Sequence, residues 1–287
     1  MYNLWDINDV KLILRKHGFS FSKAFGQNFI IDSEICPAIV DSAEISSEDC
    51  VIEIGPGIGV LTAELCKAAK KVVAVEIDKR LPEVLEDTLA EYDNVEIIND
   101  DVMKLDLKKL IEKKFGNAEV HICANLPYYI TSPIIMGLLE AELPIKDITV
   151  MVQKEAADRL CAEVGSRDGG AVTAAVNYYA AAEKCFFVGR ECFMPSPKVD
   201  SEVIKLTIRE NPPIEAKDKK LFFRVVKGAF QQRRKTVVNS LSSSLNISKA
   251  MINEALESCG IAPDSRAERL TMQNFADITN YIYDNLR

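Results

Sequence analysis

Short apolar runs alternate with amphipathic stretches along the first two thirds of the chain, and this alternation constrains the fold more than any other feature. The runs are rich in Val and Ile and have no polar residue at every second position, which is typical of strands covered on both faces. Five runs occupy residues 51–55, 71–77, 95–99, 120–125 and 148–152, and helical spacing appears at residues 61–69, 81–92 and 107–115. Strands that alternate with helices favour right-handed crossovers, so the sequence predicts an open, doubly wound α/β sheet.

The pattern changes towards the end of the chain. Two further apolar runs, at residues 184–189 and 202–208, are candidates for strands at one edge of the same sheet. The pair Pro212-Pro213 then favours extended chain and cannot continue a helix. Beyond it, helical patterns occupy residues 219–230, 236–245, 248–258 and 273–285. We therefore predict two domains, residues 1–208 with the sheet and residues 209–287 with helices only.

Charge is distributed unevenly along the chain. The 287 residues include 43 acidic and 35 basic side chains, for a net charge of −8, and 48% of the residues are apolar. This composition excludes a disordered or collagen-like chain, and the total charge does not indicate a nucleic-acid binder. Residues 217–235, however, contain eight bases and only one acid. Such a cluster indicates a polyanion partner, although a solvated helix face would give the same pattern.

Cysteine and histidine spacing does not indicate a metal site. None of the eight cysteines forms a C-x-x-C pair, and His17 and His121 are the two histidines, whereas zinc sites need clustered ligands. Free thiols in apolar stretches are typical of a reducing cytosol. The first ten residues lack a signal-peptide pattern, and no apolar run approaches the about 18 residues of a membrane span. We therefore expect a soluble, cytoplasmic protein without a metal.

A glycine-rich turn joins the first predicted strand to the helix that follows it. Its sequence, Glu53-Ile-Gly55-Pro-Gly57-Ile-Gly59, permits a tight turn and a close approach of a ligand to the backbone. Glu76 ends the next strand, where a carboxylate can accept hydrogen bonds from both ribose hydroxyls. Dinucleotide sites usually read GxGxxG and cradle a pyrophosphate, which an acidic loop would repel. The sequence therefore predicts a nucleoside site, with the cationic S-adenosylmethionine favoured over a nicotinamide dinucleotide.

Polar sequences also follow the third and fourth predicted strands. The aspartates at positions 100 and 101 come after the third strand, where one of them can accept the amino group of the cofactor's adenine. The fourth strand ends in Asn125-Leu126-Pro127-Tyr128, and the proline pushes Leu126 towards extended backbone. The Leu126 carbonyl and the Asn125 side-chain oxygen then suit one planar amino group, and Tyr128 offers a flat face to a base. The alternative is a turn with a buried tyrosine.

Five longer segments carry a family resemblance that covers nearly the whole chain. They are FGQNFIID at residues 25–32, EIGPGIGVLT at 53–62, FMPSPKVDS at 193–201, FQQRRKTVVNSL at 230–241 and RAERL at 266–270. Together they resemble the ribosomal RNA adenine dimethyltransferases of the KsgA/RsmA type. The resemblance implies a Rossmann-like class I S-adenosylmethionine-dependent methyltransferase fold with a small C-terminal all-helical domain. Residues 1–208 would then bind the cofactor, and residues 209–287 would bind RNA.

The resemblance also implies roles for single residues. Contacts with S-adenosylmethionine are expected at Asn28, Ile30, Gly55, Gly57, Glu76, Asp101 and Asn125. The target amino group is expected at Asn125, Leu126, Pro127 and Tyr128, with Phe193 stacking the target adenine against Tyr128. In the basic segment we expect RNA contacts at Lys227, Arg233, Arg234 and Lys235, and Lys11, Arg15, Lys16 and Lys23 are candidates for the same face.

Two branches of this family differ in their substrate. Erm-type members modify one adenine of large-subunit RNA, whereas KsgA-type members dimethylate two adjacent adenines in a hairpin loop near the 3′ end of small-subunit RNA. The last three segments resemble the KsgA type, which implies a monomeric dimethyltransferase that acts on small-subunit RNA, within a pre-ribosomal 30S particle, during ribosome biogenesis. Three alternatives stay open: a nicotinamide-dependent oxidoreductase, a DNA adenine methyltransferase and a non-catalytic factor that binds pre-ribosomal RNA.

Overall fold

The structure of the chain, a computed structural model, describes residues 2–19, 27–232 and 234–285. They form two compact units. The first unit contains the chain up to Ala157 together with Ala182–Ile208, and the second contains Asp158–Ala181 and the chain from Arg209 onward. In this described part of the chain, no helix is both long enough and apolar enough to cross a membrane.

The first unit is built on a mostly parallel sheet. The described strands are β1 (Phe29–Ile30), β2 (Cys50–Ile54), β3 (Lys71–Glu76), β4 (Val95–Asn99), β5 (Val120–Asn125), β6 (Asp147–Gln153), β7 (Ala180–Val188), β8 (Phe193–Met194) and β9 (Ser201–Ile208). Seven of them form one sheet in the order β4-β3-β2-β5-β6-β9-β7, and β1 pairs with β8 separately. The strands from β4 to β6 in that order are parallel neighbours, and β9 is antiparallel to β6. The predicted α/β sheet is confirmed.

Helices follow the strands as the sequence pattern predicts. The described α-helices are α1 (Ile7–Lys16), α2 (Ile35–Ala43), α3 (Val60–Ala68), α4 (Pro82–Thr88), α5 (Leu107–Phe115), α6 (Thr131–Glu140), α7 (Lys154–Leu160), α8 (Ala171–Tyr179), α9 (Lys219–Phe230), α10 (Val237–Leu245), α11 (Lys249–Ser258) and α12 (Met272–Asn285). Ile39 of α2 and Leu65 of α3 share a buried core with Val51 of β2. Successive strand residues point to opposite faces, and the neighbouring Ile52 is fully buried too. Burial on both faces explains why the strands are continuous apolar runs.

The helical unit differs from the predicted second domain in one segment. Residues 158–181, which the sequence placed in domain 1–208, belong with α9 to α12. The reason is aromatic packing: the Tyr178 ring centroid lies 5.4 Å from that of Phe222 and 5.0 Å from that of Phe223. Residues 158–181 therefore pack with the second unit, because contacts between residues far apart in the chain decide where a segment packs.

Candidate active site

A cavity lies at the carboxyl ends of β2 and β5, where the order of the strands reverses. Open α/β sheets bind their ligands at such a point. The lining comes from four segments: residues 27–30, the glycine loop within residues 53–61, residues 76–81 and residues 125–129. These segments bring together most of the sequence-predicted site: Asn28, Ile30, Gly55, Gly57, Glu76, Asn125, Leu126, Pro127 and Tyr128.

Backbone conformation explains the glycines of the loop. Gly55 and Gly57 have φ values of +71° and +62°, in the left-handed region where a residue with a Cβ is strained. A Cβ on Gly57 would also lie 3.2 Å from the Phe29 ring, whereas a Cβ on Gly55 would meet nothing within 4 Å. The loop is thus packed closely at Gly57 and leaves room for a ligand beside Gly55.

Glu76 fastens the end of β3 to the glycine loop. The residue is 4% exposed, its Oε2 accepts a hydrogen bond from the Gly57 backbone N–H at 3.3 Å, and its Oε1 accepts one from the Asp78 N–H at 2.7 Å. Burial raises the pKa of this carboxyl, and the two backbone donors act against that rise. Because each carboxylate oxygen has two acceptor positions, Glu76 can bind ligand hydroxyls while it holds the loop.

Glu53 is the second acid of the cavity and is more deeply buried. It is 1% exposed, and its Oε2 has no hydrogen-bond partner among the described residues. Burial raises the pKa of Glu53 to about 8, and the charge of Glu76 acts in the same direction. The carboxyl is therefore mostly protonated at neutral pH, although the sequence predicts an acidic loop that repels a pyrophosphate. A positively charged ligand group beside Glu53 would favour the carboxylate and give its Oε2 a partner.

The residues after β5 are held so that two oxygen acceptors stay available. Asn125 Nδ2 donates to the Asn28 carbonyl at 3.3 Å, and the Leu126 N–H donates to the Met151 carbonyl at 3.1 Å. No residue that the structure describes donates a hydrogen bond to Asn125 Oδ1 or to the Leu126 carbonyl oxygen. This is the pair of acceptors that the sequence predicts for a planar amino group.

Tyr128 is held in place by Ser201, a residue for which the sequence predicts no role. Its hydroxyl forms a 2.7 Å hydrogen bond with Ser201 Oγ, and Ser201 is fully buried at the start of β9. Burial raises the pKa of Tyr128, so the side chain stays a neutral phenol. The serine ends the motif FMPSPKVDS, which was the available signal, but its pairing with Tyr128 depends on the position of β9 in the sheet.

Two predicted site residues are not among those that line this cavity. Asp101 is engaged locally, since its Oδ1 accepts from the Met103 N–H at 3.0 Å and its Oδ2 lies 3.2 Å from Lys104 Nζ. Phe193 is 3% exposed and belongs to the apolar core of the first unit. It pairs with Ile30 through β8 and β1, so its backbone is tied to a segment that lines the cavity. Its stacking on the target adenine stays a prediction.

The predicted RNA contacts belong to the helical unit. Lys227, Arg234 and Lys235 are exposed, and Arg233 lies outside the described residues. Lys227 also borders a second cavity together with Arg224. Six cations in the described part of residues 217–235 are exposed, which is consistent with a surface for a polyanion: Lys217, Lys220, Arg224, Lys227, Arg234 and Lys235.

Other predicted cations already have partners within their own unit. Lys217 Nζ lies 2.6 Å from Asp284 Oδ2, and Lys219 Nζ lies 4.8 Å from the centre of the Tyr179 ring. Among the N-terminal candidates, Lys11 and Arg15 are exposed, and Lys16 Nζ lies 2.7 Å from Asp87 Oδ2. Lys23 lies outside the described residues.

The sheet order, the glycine loop and the strand-end acid define the Rossmann-like fold of the class I methyltransferases. A sequence profile described as ribosomal RNA adenine dimethylase matches residues 18–284. The chain belongs to this family, and it is an S-adenosylmethionine-dependent rRNA adenine dimethyltransferase. The predicted family, fold class and enzyme class are thereby confirmed, and the oxidoreductase and DNA methyltransferase alternatives are set aside.

Known proteins resemble the chain over almost its full length. The ribosomal RNA small subunit methyltransferase A of Lachnoclostridium phytofermentans is 49% identical over 278 residues, which cover 96% of each chain. A dimethyladenosine transferase from Plasmodium falciparum has a TM-score of 0.75 and 26% identity, over 89% of this chain and 97% of that one. The 23S rRNA methyltransferase ErmE has a TM-score of 0.67 and 25% identity, over 88% of this chain and 99% of that one.

Proposed function

We propose that this enzyme dimethylates the 6-amino groups of two adjacent adenines in small-subunit ribosomal RNA. The observation that carries the chemistry is the pair of acceptors at Asn125 and Leu126 beside the glycine loop. A relative with 49% identity is named for the small subunit, whereas ErmE, named for 23S RNA, shares 25% identity. The family resemblance supports a hairpin loop near the 3′ end as the target and an assembling 30S particle as its setting.

The cavity fits S-adenosylmethionine. This cofactor supplies a methyl group bound to a positively charged sulfur. In the proposed complex Glu76 accepts the ribose hydroxyls, and Glu53, whose Oε2 is buried without a partner, faces a positive charge of the cofactor. The remaining proposed contacts are Asn28, Ile30, Gly55, Gly57 and Asn125 along the cavity, with Asp101 at the adenine.

The acceptor pair makes the target nitrogen more reactive. The lone pair of an adenine amino nitrogen is delocalised into the ring, so this nitrogen is a poor nucleophile. Hydrogen bonds from the amino group to Asn125 Oδ1 and the Leu126 carbonyl favour a tetrahedral nitrogen whose lone pair points at the methyl donor. Most of the rate enhancement then comes from positioning and preorganised electrostatics. Pro127 contributes by holding Leu126 in extended backbone.

The target base has to leave its stack to reach this cavity. A hairpin loop lowers that cost relative to a duplex. Stacking of the base on Tyr128, which Ser201 holds in place, offsets the cost by about 1–3 kcal/mol. Phe193 is the proposed second face, and its proposed role requires the ring to leave the core in which it is buried. Lys227, Arg233, Arg234 and Lys235 are the proposed phosphate contacts.

Methyl transfer to two ribosomal particles tests this function. Small-subunit particles that lack the modification, and large-subunit particles in a parallel reaction, would be incubated with the enzyme and tritiated S-adenosylmethionine. The labelled nucleoside would then be identified. We expect N6,N6-dimethyladenosine at two adjacent positions of the small-subunit RNA. Labelling confined to large-subunit particles, or a monomethylated product only, would overturn the proposal.

Cofactor affinity should depend on pH through Glu53. Because burial raises the pKa of Glu53 to about 8, cofactor binding has to remove a proton at lower pH. We expect S-adenosylhomocysteine, which keeps the ammonium group, to bind more tightly as the pH rises from 6 to 8, by up to about tenfold per pH unit. Stability of the ligand-free protein should move the other way, since a buried acid with a raised pKa loses its stabilising contribution as the pH rises through that pKa.

Titration calorimetry on two proteins measures this effect. In Glu53→Gln the carboxyl is absent, so the affinity should depend on pH much less than in the unmodified enzyme. Equal pH dependence in both proteins would remove Glu53 from the proposed cation contact.

The basic segment should supply salt-dependent binding of RNA. Replacing Arg233, Arg234 and Lys235 by alanine should weaken RNA binding and lower the log–log salt slope by about 0.7–0.9 per lost phosphate contact. Cofactor affinity should not change, because the cofactor cavity belongs to the first unit. Binding measured at four or more salt concentrations gives the slope.

A matched variant separates charge from packing. Lys217→Ala removes a cation that is already paired with Asp284, so we expect it to leave the salt slope nearly unchanged. If the triple variant instead has a lower melting temperature and an unchanged slope, its three residues stabilise the helical unit and do not contact RNA.

A further inference from the structure

Two acidic side chains and one histidine lie close together at the edge of the sheet opposite the glycine loop. Asp49 directly precedes β2, Glu119 directly precedes β5, and His121 is the second residue of β5. One carboxylate oxygen of each acid and one ring nitrogen of the histidine all lie within 4.8 Å of one another. Strand β2 runs from this cluster to the glycine loop, a distance of about 16 Å at about 3.3 Å per residue. The cluster is therefore separate from the candidate active site.

His121 has one ring nitrogen in use and one without a partner. The residue is fully buried, and its Nδ1 lies 3.1 Å from both carboxylate oxygens of Asp147, which is fully buried too. An Nδ1–H donated to Asp147 leaves the lone pair of a neutral imidazole on Nε2. Nε2 is buried and forms no hydrogen bond with any described residue. It faces Asp49 Oδ2 at 3.7 Å and Glu119 Oε1 at 4.0 Å.

These separations are too long for hydrogen bonds and suit a shared ion. An N–H···O hydrogen bond spans about 2.7–3.2 Å between heavy atoms, so a proton on Nε2 would not join it to either carboxylate. Ligands at about 2.0–2.2 Å from a tetrahedral zinc ion lie about 3.3–3.6 Å apart, so binding requires the half-exposed Glu119 side chain to move towards His121 by about half an ångström. The negative charge of the two carboxylates favours a cation beside them, and Lys146 Nζ supplies one to Glu119 at 2.6 Å in this structure.

Hydrogen bonds from Ser46 hold the Asp49 carboxylate in place beside the histidine. Asp49 Oδ2 accepts hydrogen bonds from the Ser46 backbone N–H at 2.8 Å and from Ser46 Oγ at 2.7 Å. Asp49 Oδ1 accepts no hydrogen bond from a described residue, so the acceptor positions of this second oxygen are open to an ion.

We propose that Asp49, Glu119 and His121 form a divalent-metal site, with Zn²⁺ as the ion that this nitrogen and oxygen ligand set favours. Imidazole together with carboxylates suits zinc, and three protein ligands leave a fourth position for water. Asp147 completes the carboxylate–histidine–metal arrangement that fixes the ring and its tautomer. The ion joins the starts of β2 and β5, and through Asp147 the start of β6, so it stabilises the amino edge of the sheet.

Lys146 competes with the ion for one ligand. Its Nζ lies 2.6 Å from Glu119 Oε1, the same oxygen that faces His121. The lysine side chain is 40% exposed and the glutamate side chain 50% exposed, so the ammonium can move into solvent when a metal binds. Removing this lysine frees Glu119 Oε1 and should therefore strengthen metal binding.

Titration of the full chain with Zn²⁺ tests the site. A chelator-treated protein without an affinity tag would be titrated calorimetrically with zinc chloride, and its melting temperature would be measured with and without the metal. We expect one ion per chain and a higher melting temperature with zinc. Co²⁺ in place of zinc should give an absorption spectrum without thiolate charge-transfer bands, because no cysteine takes part.

Point variants assign the ligands. Asp49→Asn and Glu119→Gln should each weaken zinc binding at least tenfold, and they avoid the fully buried histidine, whose replacement could unfold the protein. Lys146→Met should strengthen binding, whereas Lys70→Ala, which removes an exposed cation 4.0 Å from Glu48, should leave it unchanged. The proposal is overturned if the unmodified chain binds no zinc, if Asp49→Asn and Glu119→Gln bind it equally well, or if cobalt shows thiolate bands.

Discussion

Replacing Asn125 by alanine should lower the rate of methyl transfer by about 10²–10³-fold at saturating cofactor and RNA. The reason is that Asn125 Oδ1 is one of two acceptors for the target amino group, and loss of one preorganised hydrogen-bonding group typically costs this much in rate. RNA affinity should change little, because the lost interaction is aimed at the reacting nitrogen and gains strength in the transition state. Single-turnover kinetics with both substrates in excess of their dissociation constants measure the effect.

Two further variants and a measurement of cofactor affinity test whether the loss of rate in Asn125→Ala comes from the target amino group. Asn125 Nδ2 also donates to the Asn28 carbonyl next to the cofactor cavity, so cofactor affinity must be measured beside the rate. Asn125→Gln keeps the amide but moves it by one methylene, and we expect a large loss of rate there as well. Asn8→Ala, at an exposed position of α1, should behave like the unmodified enzyme. Near-normal turnover of Asn125→Ala would exclude the proposed role.

Replacing Glu76 by alanine should weaken cofactor binding by about 10- to 150-fold. This range corresponds to the roughly 1.5–3 kcal/mol that hydrogen bonds to a charged group contribute. The side chain also accepts from the Gly57 and Asp78 backbone N–H groups, so the alanine variant loses the tie between β3 and the glycine loop. Calorimetric titration with S-adenosylhomocysteine measures the affinity.

The variant Glu76→Gln distinguishes the two contributions. Glutamine can accept from only one of the two backbone N–H groups and loses the charge, so its melting temperature should lie between those of Glu76→Ala and the unmodified enzyme while its affinity stays reduced. Glu83→Ala, in the exposed first turn of α4, serves as a control with no expected change. If Glu76→Ala binds the cofactor with unchanged affinity, Glu76 is not part of the binding site.

Local patterns in the sequence are sufficient to predict which residues lie together at the candidate cavity, whereas their roles stay predictions. Glu53, the loop glycines and Glu76 lie at strand ends, and parallel strands bring their carboxyl ends to one edge of a sheet. Asn125 and Leu126 follow from the same rule, because β5 lies beside β2. Each of these positions depends on a strand and the few residues after it.

Other features depend on contacts between distant parts of the chain, and the sequence did not predict them. The Tyr128–Ser201 hydrogen bond requires β9 to pair with β6. Phe193 is buried where β8 pairs with β1. The motif that contains Phe193 does not predict how exposed its side chain is. The proposed metal ligands Asp49 and His121 lie far apart in the chain, so the spacing of cysteines and histidines does not indicate them.

The two halves of the proposed reaction centre depend on different regions of the chain, because Tyr128 is held by a hydrogen bond with the distant Ser201. Among the described residues, all that line the cofactor cavity lie before position 130, whereas the proposed stacking of the base on Tyr128 depends on the first residue of β9. During synthesis, the residues that line the cofactor half are therefore made first, whereas β8, which pairs with the lining segment at Ile30, and the Ser201 anchor follow later. Substitutions around position 201 can likewise alter which acceptor is methylated while the methyl-donor half keeps its geometry, so selection can act on the two halves separately.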